Sequence, residues 1–591
     1  MKCTIMKTMQ SIDRHFFIVK LGLLASFSLL NACYLAPTST PAEKIFTGGP
    51  IITMDDEQPL VEAIAISNGR IISVGKYSEV LEHKTKSTEI IDLKRHTLLP
   101  SFFDAHSHLS GVGMQSIVAN LLPAPDGPVN SIEELQQTMR HYIANAPTVK
   151  NYGVAMGFNY DDSQLQEQRH PNRHELDAIS TKIPLVVMHQ SGHLGVYNSK
   201  AMEILGIDAN SSDPAGGIIE READGKTPSG VMQENAHFAM IYQLVPKFTP
   251  EDYIAMLKAG EATYTANGFT TVQEGKADIS ALKAFPALAK QGVFDIDIVA
   301  YADIAALKDL ALLDGPLMSR NYQNGFRIGG IKLTFDGSPQ GKTAWFTEPY
   351  VVPPSGQGDD YAGYPAMTDE QALNWYHLAY QKDWQIMTHT NGDAAIDQLI
   401  RTIKSADSIA KKQGIANEDR RTVMIHGQFL REDQVADIKK LGIFPALYPM
   451  HTFYWGDWHR TSVAGPDRAR NISPTGWLVK NSIPFTIHSD APVTYPNAMR
   501  ILDSAVNRTT RSDFILGEQQ RIDPYTALKA MTIWPAYQHF EEQEKGSLAV
   551  GKLADLVILD ANPLVIKRSE LKNIKVMQTI KSGVTIYTRK E

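Results

Sequence analysis

A His-x-His pair is the first feature of this sequence whose residue types and spacing can do chemistry. His106 and His108 follow an apolar run and stand two residues apart. In a β-strand, residues two apart face the same side, so both imidazoles would point the same way. Imidazole nitrogen is a common ligand of zinc and related first-row divalent ions. The pair therefore predicts part of a metal site.

Four more residues that can bind metal or move protons lie at or near the ends of later apolar runs. They are Lys332, His389, His426 and Asp490. A single histidine is usually a surface residue, or a core residue with satisfied hydrogen bonds. Here, however, ligand-type residues recur after successive apolar runs. This recurrence favours a shared site in which imidazole and carboxylate groups bind a divalent metal.

The middle of the chain alternates apolar β-type runs with helical stretches. This alternation predicts a parallel sheet in an α/β fold, and eight such units predict a (β/α)8 barrel of the TIM type. Such a barrel carries its site at the carboxyl ends of the strands, where the residues named above fall. The predicted strands are 97–108, 268–274, 294–302, 326–336, 384–390, 421–427, 443–449 and 483–490.

A long connection separates the first two predicted strands. It spans about 160 residues, far more than an ordinary link between strands of a barrel. We therefore expect an inserted subdomain after strand 1, at about 118–255, that overhangs the site. It contains a predicted hairpin around Asp224-Gly225.

Two segments, one toward each end of the chain, have residue patterns typical of an antiparallel sheet. Asn68-Gly69 interrupts an alternating apolar segment, and this dipeptide accepts the positive φ angles of a tight hairpin turn. Strands are also predicted at 554–560 and at 576–587, the latter folded at Ser582-Gly583. Neither end has enough strands to be stable alone. We expect one small β-sandwich domain built from 44–96 and 546–591, flanking the barrel at 97–545.

Composition excludes several classes of protein. The chain has 591 residues, 43% of them hydrophobic and 21% charged, as in globular proteins. The net charge of −8 argues against nucleic acid as the main partner, because phosphate binding needs a basic surface. Only two cysteines are present, so a disulfide scaffold and a cysteine-rich metal cluster are excluded.

The first residues of the chain resemble a bacterial lipoprotein leader. Basic residues precede the short apolar run at 21–30, which is too short to span a bilayer. Cys33 then stands where a lipobox requires its lipidated cysteine. We expect a signal peptide at 1–32, a tether at 33–43, and lipid anchoring to a membrane of the bacterial cell envelope, on the periplasmic or outer-membrane side. The alternative is an ordinary signal peptide with a chance cysteine.

Six segments together resemble the amidohydrolase superfamily, and in detail its N-substituted formamide deformylase-like branch, also called YtcJ-like. The resemblance covers about 44–590. A single His-x-His is weak, but six motifs in the family's order are specific. They are LPSFFDAHSHL at 99–109, QSGHLGVYNSKAM at 190–202, KLTFDGSPQGKTA at 332–344, HTNGDAAI at 389–396, HSDAPV at 488–493 and GSLAVGKLADLVILDANPL at 546–564.

The resemblance implies a role for each of the candidate residues. His106 and His108 would bind the more buried metal, and His389 and His426 would bind a second. Lys332 would be carboxylated and bridge both ions, its alternative being an unmodified lysine in an ion pair. Asp490 would contact metal and the attacking water. One or two divalent ions are implied, with zinc favoured and manganese or iron as alternatives.

The function implied is metal-dependent hydrolysis of a carbon–nitrogen bond other than a peptide bond, in a small amide such as an N-substituted formamide or N-acyl amine. Metal-activated hydroxide would attack the carbonyl, and Asp490 would pass the proton to the leaving amine. Two alternatives stay open. The same site would also suit a cyclic amide, a lactone or a peptide-like substrate, and a surface lipoprotein of this fold would bind ligand without turnover. A homodimer is compatible with the sequence.

Three further features each have two possible interpretations. His193 lies in the insert motif and would bind the substrate carbonyl or take part in catalysis, or merely anchor the insert. His488 would support the metal ligands rather than bind metal. The aromatic cluster at 451–459 would form an apolar substrate wall, or pack as an ordinary loop.

Overall fold

A computed structural model of the protein describes residues 40–307, 310–354, 356–415 and 419–590. The predicted leader 1–32, Cys33 and most of the tether lie outside the described residues. None of the helices in the described ranges combines the length and the apolar composition needed to span a membrane.

The described residues form strands and helices along the whole length of the body. The strands are β1 (Lys44–Thr47), β2 (Ile51–Ile52), β3 (Leu60–Val61), β4 (Ala63–Ser67), β5 (Arg70–Gly75), β6 (Glu89–Asp92), β7 (Thr97–Pro100), β8 (Phe102–Phe103), β9 (Ala119–Asn120), β10 (Ala155–Tyr160), β11 (Leu185–His189), β12 (Leu194–Tyr197), β13 (Gly217–Arg221), β14 (Pro228–Glu234), β15 (Phe269–Ala277), β16 (Asp297–Asp303), β17 (Phe326–Thr334), β18 (Gln385–Thr390), β19 (Val423–His426), β20 (Phe444–Leu447), β21 (Thr486–Ile487), β22 (Leu556–Leu559), β23 (Val576–Lys581) and β24 (Val584–Thr588). The helices are α1 (Tyr77–Val80), α2 (Leu109–Gln115), α3 (Ile132–Asn145), α4 (Pro147–Tyr152), α5 (Arg173–Asp177), α6 (Ser199–Leu205), α7 (Asn235–Leu244), α8 (Pro250–Thr265), α9 (Ile279–Lys290), α10 (Asp369–Lys382), α11 (Asp393–Gln413), α12 (Val435–Lys440), α13 (Met450–Trp458), α14 (Gly465–Ala469), α15 (Thr475–Lys480), α16 (Ala498–Asn507), α17 (Pro524–Lys529) and α18 (Ile533–Gln538).

A curled sheet of eight parallel strands forms the centre of the molecule. Its order is β8, β15, β16, β17, β18, β19, β20 and β21, which is also their order in the chain. The eight predicted strands are therefore present in the predicted order, most with shorter bounds. Because parallel strands share a direction, the residues that follow their carboxyl ends are brought to one edge of the sheet.

Both faces of this sheet are buried. On β16, Ile298 and Ala300 face the large core that the sheet shares with its helices. Val299 and Tyr301, which alternate with them, face a smaller core on the other side. Burial on both faces explains why these strands are nearly continuous apolar runs in the sequence.

The first predicted strand, 97–108, is wrong in its extent. The chain changes sheets at Ser101, whose backbone N–H donates to Asp555 O at 3.0 Å, whereas Phe102 N–H donates to Gly268 O at 2.9 Å. The segment before Ser101 thus pairs in a terminal sheet, and only β8 joins the parallel one. His106 lies in a bend after β8, and His108 forms an isolated bridge with Glu274. A continuous apolar run does not reveal such a change of partner.

A second sheet lies within the stretch predicted to be an insert. Its strand order is β13, β14, β12, β11, β10 and β9. The predicted hairpin around Asp224-Gly225 is confirmed as β13 and β14. Alternate residues of this sheet face two separate cores; Leu185 and Val187 face one, and Val186 and Met188 face the other.

Segments near the two ends of the described residues meet in the remaining sheets. A four-stranded sheet has the order β5, β4, β1, β6, and a six-stranded sheet has the order β24, β23, β22, β7, β2, β3. Both predicted hairpins are confirmed: Asn68 and Gly69 have φ angles of 50° and 72°, and Ser582 and Gly583 have 47° and 77°. Strands from both termini therefore share one sheet.

Candidate metal centre

Six residues predicted to form a metal site line one cavity at the carboxyl edge of the parallel sheet. The cavity has a volume of about 650 Å³. Lys332 lies within β17 and His389 within β18, while His426 is the last residue of β19. His106 and His108 follow β8, and Asp490 follows β21. All six line this cavity.

His106, His108 and Asp490 form the tightest group. One ligand atom from each lies within 4.8 Å of the others. Asp490 Oδ1 is 3.2 Å from His108 Nε2 and 3.5 Å from His106 Nε2. Ligands of a tetrahedral zinc ion with bonds near 2.0–2.1 Å stand about 3.3 Å apart. These separations fit one divalent ion.

Asp490 also faces the remaining ligand-type residues. Its other carboxylate oxygen, Oδ2, is 3.8 Å from His426 Nε2. The rings of His389 and His426 are 4.6 Å apart between centroids. Lys332 Nζ lies 3.0 Å from His106 Nε2. The carboxylate of Asp490 therefore stands between two groups of imidazoles, which fits one ion or two.

Burial decides the charge of these groups. It lowers the pKa of His106, His389 and His426 well below the ordinary value, with the nearby positive charge of Lys332 acting in the same direction. Neutral imidazole is the form that binds metal. Burial also lowers the pKa of Lys332 to about 7. For Asp490, burial opposes the charge, but the hydrogen bond and charge of His108 outweigh it and lower the pKa.

Buried polar groups lie against two of the imidazoles. Gln273 Oε1 lies 3.1 Å from His106 Nδ1, within hydrogen-bond distance. Asp336 Oδ1 lies 3.3 Å from His389 Nδ1 but forms no hydrogen bond with it, and Asp336 accepts backbone N–H groups of Asn391 and Gly392. Gln273 was not predicted from the sequence, although an amide inside the apolar strand β15 is a usable signal. Such partners orient the rings of metal ligands.

His193 enters the cavity from the insert and is held by a residue that the sequence analysis missed. Its Nδ1 lies 2.7 Å from Glu234 Oε2, and Thr343 Oγ1 donates to Glu234 Oε1 at 2.6 Å. The His193 ring is 5.3 Å from that of His389. Burial opposes the charge of Glu234, but its contacts with His193 and Thr343 lower its pKa. The ionised carboxylate of Glu234 therefore holds the His193 ring in one orientation.

Several site residues have strained backbone conformations. His426 and Asp490 have φ angles of 72° and 51°, and Glu234 has φ 49° and ψ −124°. Positive φ in a residue other than glycine costs about 1–3 kcal/mol and tends to occur at functional sites. At Gly275 a Cβ atom would lie 2.6 Å from His106 Cε1, so glycine is needed there for the ring to fit.

The comparisons with known proteins agree with this geometry. A family model described as the amidohydrolase family matches residues 89–587, which is most of the chain. The chain belongs to the amidohydrolase family.

Individual relatives cover this amidohydrolase almost end to end. It is 24% identical to the N-substituted formamide deformylase of Arthrobacter pascens, over 91% of this chain and 97% of that protein. It is 25% identical to the protein called YtcJ in Bacillus subtilis, over 92% of this chain and 99% of that one. A solved structure, described as an uncharacterized metal-dependent hydrolase from Pyrococcus horikoshii, superposes with a TM-score of 0.68 at 25% identity and covers 89% of this chain and 99% of its own.

The walls of this amidohydrolase's cavity are mostly apolar and come from the insert and from α7. Their apolar residues include Met156, Phe158, Met188, Phe238 and Ile241. The cluster at 451–459, which was one predicted source of such a wall, does not line the cavity. Its Trp455 is buried and donates to Asp161 Oδ2 at 2.6 Å, so the alternative of ordinary packing holds.

His488 lies beside the candidate ligands rather than in the cavity. Its ring is 5.4 Å from that of His106 and 5.2 Å from that of His426, and it stacks on Tyr448 at 4.9 Å. Neither ring nitrogen has a hydrogen-bond partner among the described residues. His488 thus packs against the ligand rings, and its supporting role stays a prediction.

A second buried group of Asp161, Asp162 and His189 also has metal-ligating side chains. Its hydrogen bonds are already complete. His189 Nε2 lies 2.9 Å from Asp162 Oδ1, and Ser163 donates its hydroxyl to Asp161 Oδ1 at 2.7 Å. Burial opposes the charge of His189, but the two carboxylates outweigh it and raise its pKa to about 9. The two carboxylates therefore favour the charged form of this imidazole.

Proposed function

We propose that this amidohydrolase uses a bound divalent metal to hydrolyse an amide-type C–N bond other than a peptide bond. N-substituted formamides and other N-acyl amines are the proposed substrates. One observation carries the proposal: six ligand-type side chains that belong to or follow five strands of the parallel sheet line the same cavity. Beside them is an apolar wall, and the cavity is large enough for a small organic molecule. The similarity to an N-substituted formamide deformylase supports the choice of substrate.

The donor set supports zinc, with manganese or iron as alternatives, and one or two ions. His106, His108 and Asp490 would hold the first ion, and His389 and His426 would hold the second. A bound divalent ion would supply an electrophile for the carbonyl oxygen and lower the pKa of water toward about 7.

The chain's own residues would then orient the substrate and move protons. Asp490 would accept the proton of the attacking water and return it to the leaving amine, since its lowered pKa keeps it ionised at neutral pH. Glu234 holds Nδ1 of His193 and leaves Nε2 for the cavity. With both ring nitrogens protonated, His193 would donate a hydrogen bond from Nε2 to the substrate carbonyl.

We propose that Lys332 is carboxylated. An ammonium would repel metal ions, whereas a carbamate is an anionic ligand with two oxygens. A pKa lowered to about 7 leaves much of the amine neutral, which is the form that adds to carbon dioxide with loss of one proton. The burial of Lys332 among imidazoles supports this modification.

We propose that the curled sheet closes as a (β/α)8 barrel and that the terminal sheets form a β-sandwich. The backbone N–H of His108 donates to Ala491 O at 2.7 Å, which joins the segments that follow the first and last strands. Phe46, Leu98 and Leu556, from both ends of the chain, share one apolar cluster. Both observations support the proposed architecture.

The test of function combines metal analysis with a substrate screen. Untagged protein, purified without chelators, should contain about one or two equivalents of zinc or a related ion per chain. It should hydrolyse N-substituted formamides or N-acyl amines faster than lactones, cyclic amides or dipeptides. Metal binding without turnover of any of these would favour a ligand-binding protein, and preferential lactone hydrolysis would overturn the amide assignment.

We propose that lipid on Cys33 anchors the protein in the bacterial cell envelope, with the leader 1–32 removed. The position of Cys33 directly after a short apolar run supports this. Cys33→Ser should move the protein from the membrane fraction to the soluble fraction of the expressing bacterium. Unchanged membrane fractionation would contradict lipid anchoring at this residue.

A further inference from the structure

Lys276 places a positive charge in the wall of the cavity. It lies near the carboxyl end of β15 and is only partly exposed. Its Nζ atom stands 4.0 Å from the centroid of the Phe238 ring. Among the described residues no carboxylate comes within the 4.0 Å of an ion pair, and no acceptor forms a hydrogen bond with this ammonium. Its donors therefore face the cavity without a fixed partner in the described part of the chain.

The acidic residues nearest in sequence are engaged elsewhere. Glu274 Oε2 accepts the backbone N–H of Ser110 at 2.8 Å. Asp278 Oδ1 accepts the N–H of Ala281 at 2.8 Å and caps α9. Both line the same cavity as Lys276. Two fixed carboxylates and one unpaired ammonium would favour a ligand with a single negative charge over one with two.

Lys276 and the six candidate ligands line the same cavity, so a small molecule in it can contact both. The Phe238 ring contacts Lys276 and lies 5.5 Å from the His193 ring, and His193 in turn neighbours His389. The charge of Lys276 also contributes, after burial and Asp490, to the altered pKa of Lys332. An amide at the metal centre would extend along this wall toward Lys276.

An apolar side chain at position 276 would serve a neutral substrate better. Methionines and aromatic residues already line this wall. The Phe238 ring stabilises the ammonium of Lys276 by a cation–π contact, and an acceptor or anion that reached it would stabilise it further.

We infer that Lys276 binds a carboxylate of the substrate, and that the preferred substrates are N-acyl or N-formyl amino acids with one carboxylate and an apolar side chain. This inference rests on the proposed amide hydrolysis. The acyl carbonyl would lie at the metal centre, the apolar side chain against the insert wall, and the carboxylate at Lys276.

The experiment compares two amides that differ by the carboxylate alone, N-formylphenylalanine and N-formylphenethylamine. The full chain loaded with zinc should show kcat/KM at least tenfold higher for the acid. Lys276→Met should reduce this ratio by about tenfold, mainly through KM for the acid, and Lys276→Arg should keep most of it because the charge is retained. Lys283→Met, at an exposed position of α9 outside the cavity, is the matched control and should leave the ratio unchanged.

Two results would overturn the inference: wild-type protein that prefers the neutral amide or does not discriminate, or a Lys276→Met variant that keeps the wild-type ratio. Calorimetric binding of both amides separates this failure from failure of the proposed function. Binding of the acid that depends on Lys276, without hydrolysis of either compound, would refute the hydrolase and leave a carboxylate-binding site. Hydrolysis of the neutral amide alone would support the hydrolase and refute the role of Lys276.

Discussion

Asp490 is the acidic residue that the candidate metal ligands share. One of its oxygens faces His108 and His106, and the other faces His426. A carboxylate in this position would both bind metal and move the proton of water. Its left-handed backbone, with φ 51°, aims the side chain at this point.

Asp490→Asn separates the two roles. The amide oxygen would still face the imidazoles, but the side chain would no longer accept a proton. We expect much of the bound metal to remain and kcat to fall by about 10²- to 10⁴-fold, the usual contribution of a general acid–base group. Metal content by mass spectrometry and single-turnover rates measure the two effects. A rate near that of the wild type would remove Asp490 from proton transfer.

Glu234 would affect catalysis indirectly, through the side chain of His193. Glu234→Gln keeps the size of the side chain but removes the negative charge beside His193 Nδ1. We expect kcat to fall about 10- to 100-fold, the range for partners that orient a catalytic imidazole or a metal ligand. The thermal midpoint should change little because glutamine can still accept a hydrogen bond.

Thr343→Val is the comparison for this prediction. It removes only the hydroxyl that donates to the far oxygen of Glu234, so its effect on kcat should be smaller. Measurement of kcat and KM across pH would distinguish the two variants. Equal losses in both, in step with lost thermal stability, would mean that Glu234 is merely structural.

At the scale of elements, the insert is docked onto the parallel sheet through polar contacts near the cavity. Asn159 donates to Pro492 O at 2.9 Å, and Gln190 donates to Val493 O at 3.0 Å. Both acceptors lie just after Asp490. The ends of β10 and β11 therefore set the position of the wall relative to the metal centre.

His189 lies at the same end of these strands, and we expect its raised pKa to make the docking of the insert dependent on pH. The pKa of His189 is raised to about 9 in the folded protein, whereas in the unfolded chain it is about 6.5. Its stabilising effect is therefore complete below about pH 6.5 and is lost as pH rises through about 9. The pKa of Asp162 is lowered to about 2. The stability that its ionised carboxylate gives the folded protein is therefore lost as pH falls from about 4 through about 2. The pair stabilises most between these limits.

His189→Gln tests this dependence. The variant leaves two buried carboxylates without their counter-charge, which should cost about 3 kcal/mol near pH 6. The difference in unfolding free energy between wild type and variant should shrink as pH rises from about 6.5 to 9. Urea unfolding at several pH values measures it. A difference that is constant with pH would mean that His189 is neutral in the folded protein.

At the scale of the whole molecule, buried ion pairs join the parallel sheet to the C-terminal sheet. Asp297 at the start of β16 lies 2.6 Å from Lys545 Nζ and 2.5 Å from Lys581 Nζ. Lys581 also pairs with Asp555 at 2.8 Å. Burial opposes the charge of Asp297, but the two lysines outweigh it and hold its pKa well below the ordinary value.

Asp297→Asn should destabilise the fold without touching the cavity. It leaves two buried ammonium groups with one carboxylate fewer, for a loss of about 3 kcal/mol at neutral pH. The pKa of Asp297 is lowered in the folded protein, whereas in the unfolded chain it is about 3.9. Its contribution to folding stability is therefore present above about pH 3.9 and declines as pH falls below that value.

Asp314→Asn is the control for this prediction. Its pair with Lys382 is 2.8 Å long but exposed, so removing the charge should change stability by less than about 1 kcal/mol. Urea midpoints of both variants compare a buried with an exposed pair. Equal effects would contradict a special role for the link between the sheets.

Much of the central sheet could be predicted, because its strands are buried on both faces and stand out as apolar runs. The six candidate ligands could be identified with it, since each lies at or near the end of such a run. The change of sheet at Ser101 could not, because β7 and β8 are equally apolar and only their partners differ.

Glu234, Gln273 and Lys276 were also not identified as part of the site. Each lies inside a segment of strand with no motif of its own. Their roles come from contacts with residues far away in the chain; His106 and Gln273, for example, are 167 positions apart. The apolar wall was expected at 451–459 but comes from the insert, because that cluster is occupied in packing against Asp161.

The sequence by itself determined the family, the order of the strands and the types of side chain available at their ends. These are local properties: burial selects apolar runs, and chemistry selects histidine, lysine and aspartate where the runs end. Only the tertiary structure decided which side chains face each other and which charges lack a partner. Those depend on how separate segments approach in space, and neither residue type nor spacing along the chain specifies that approach.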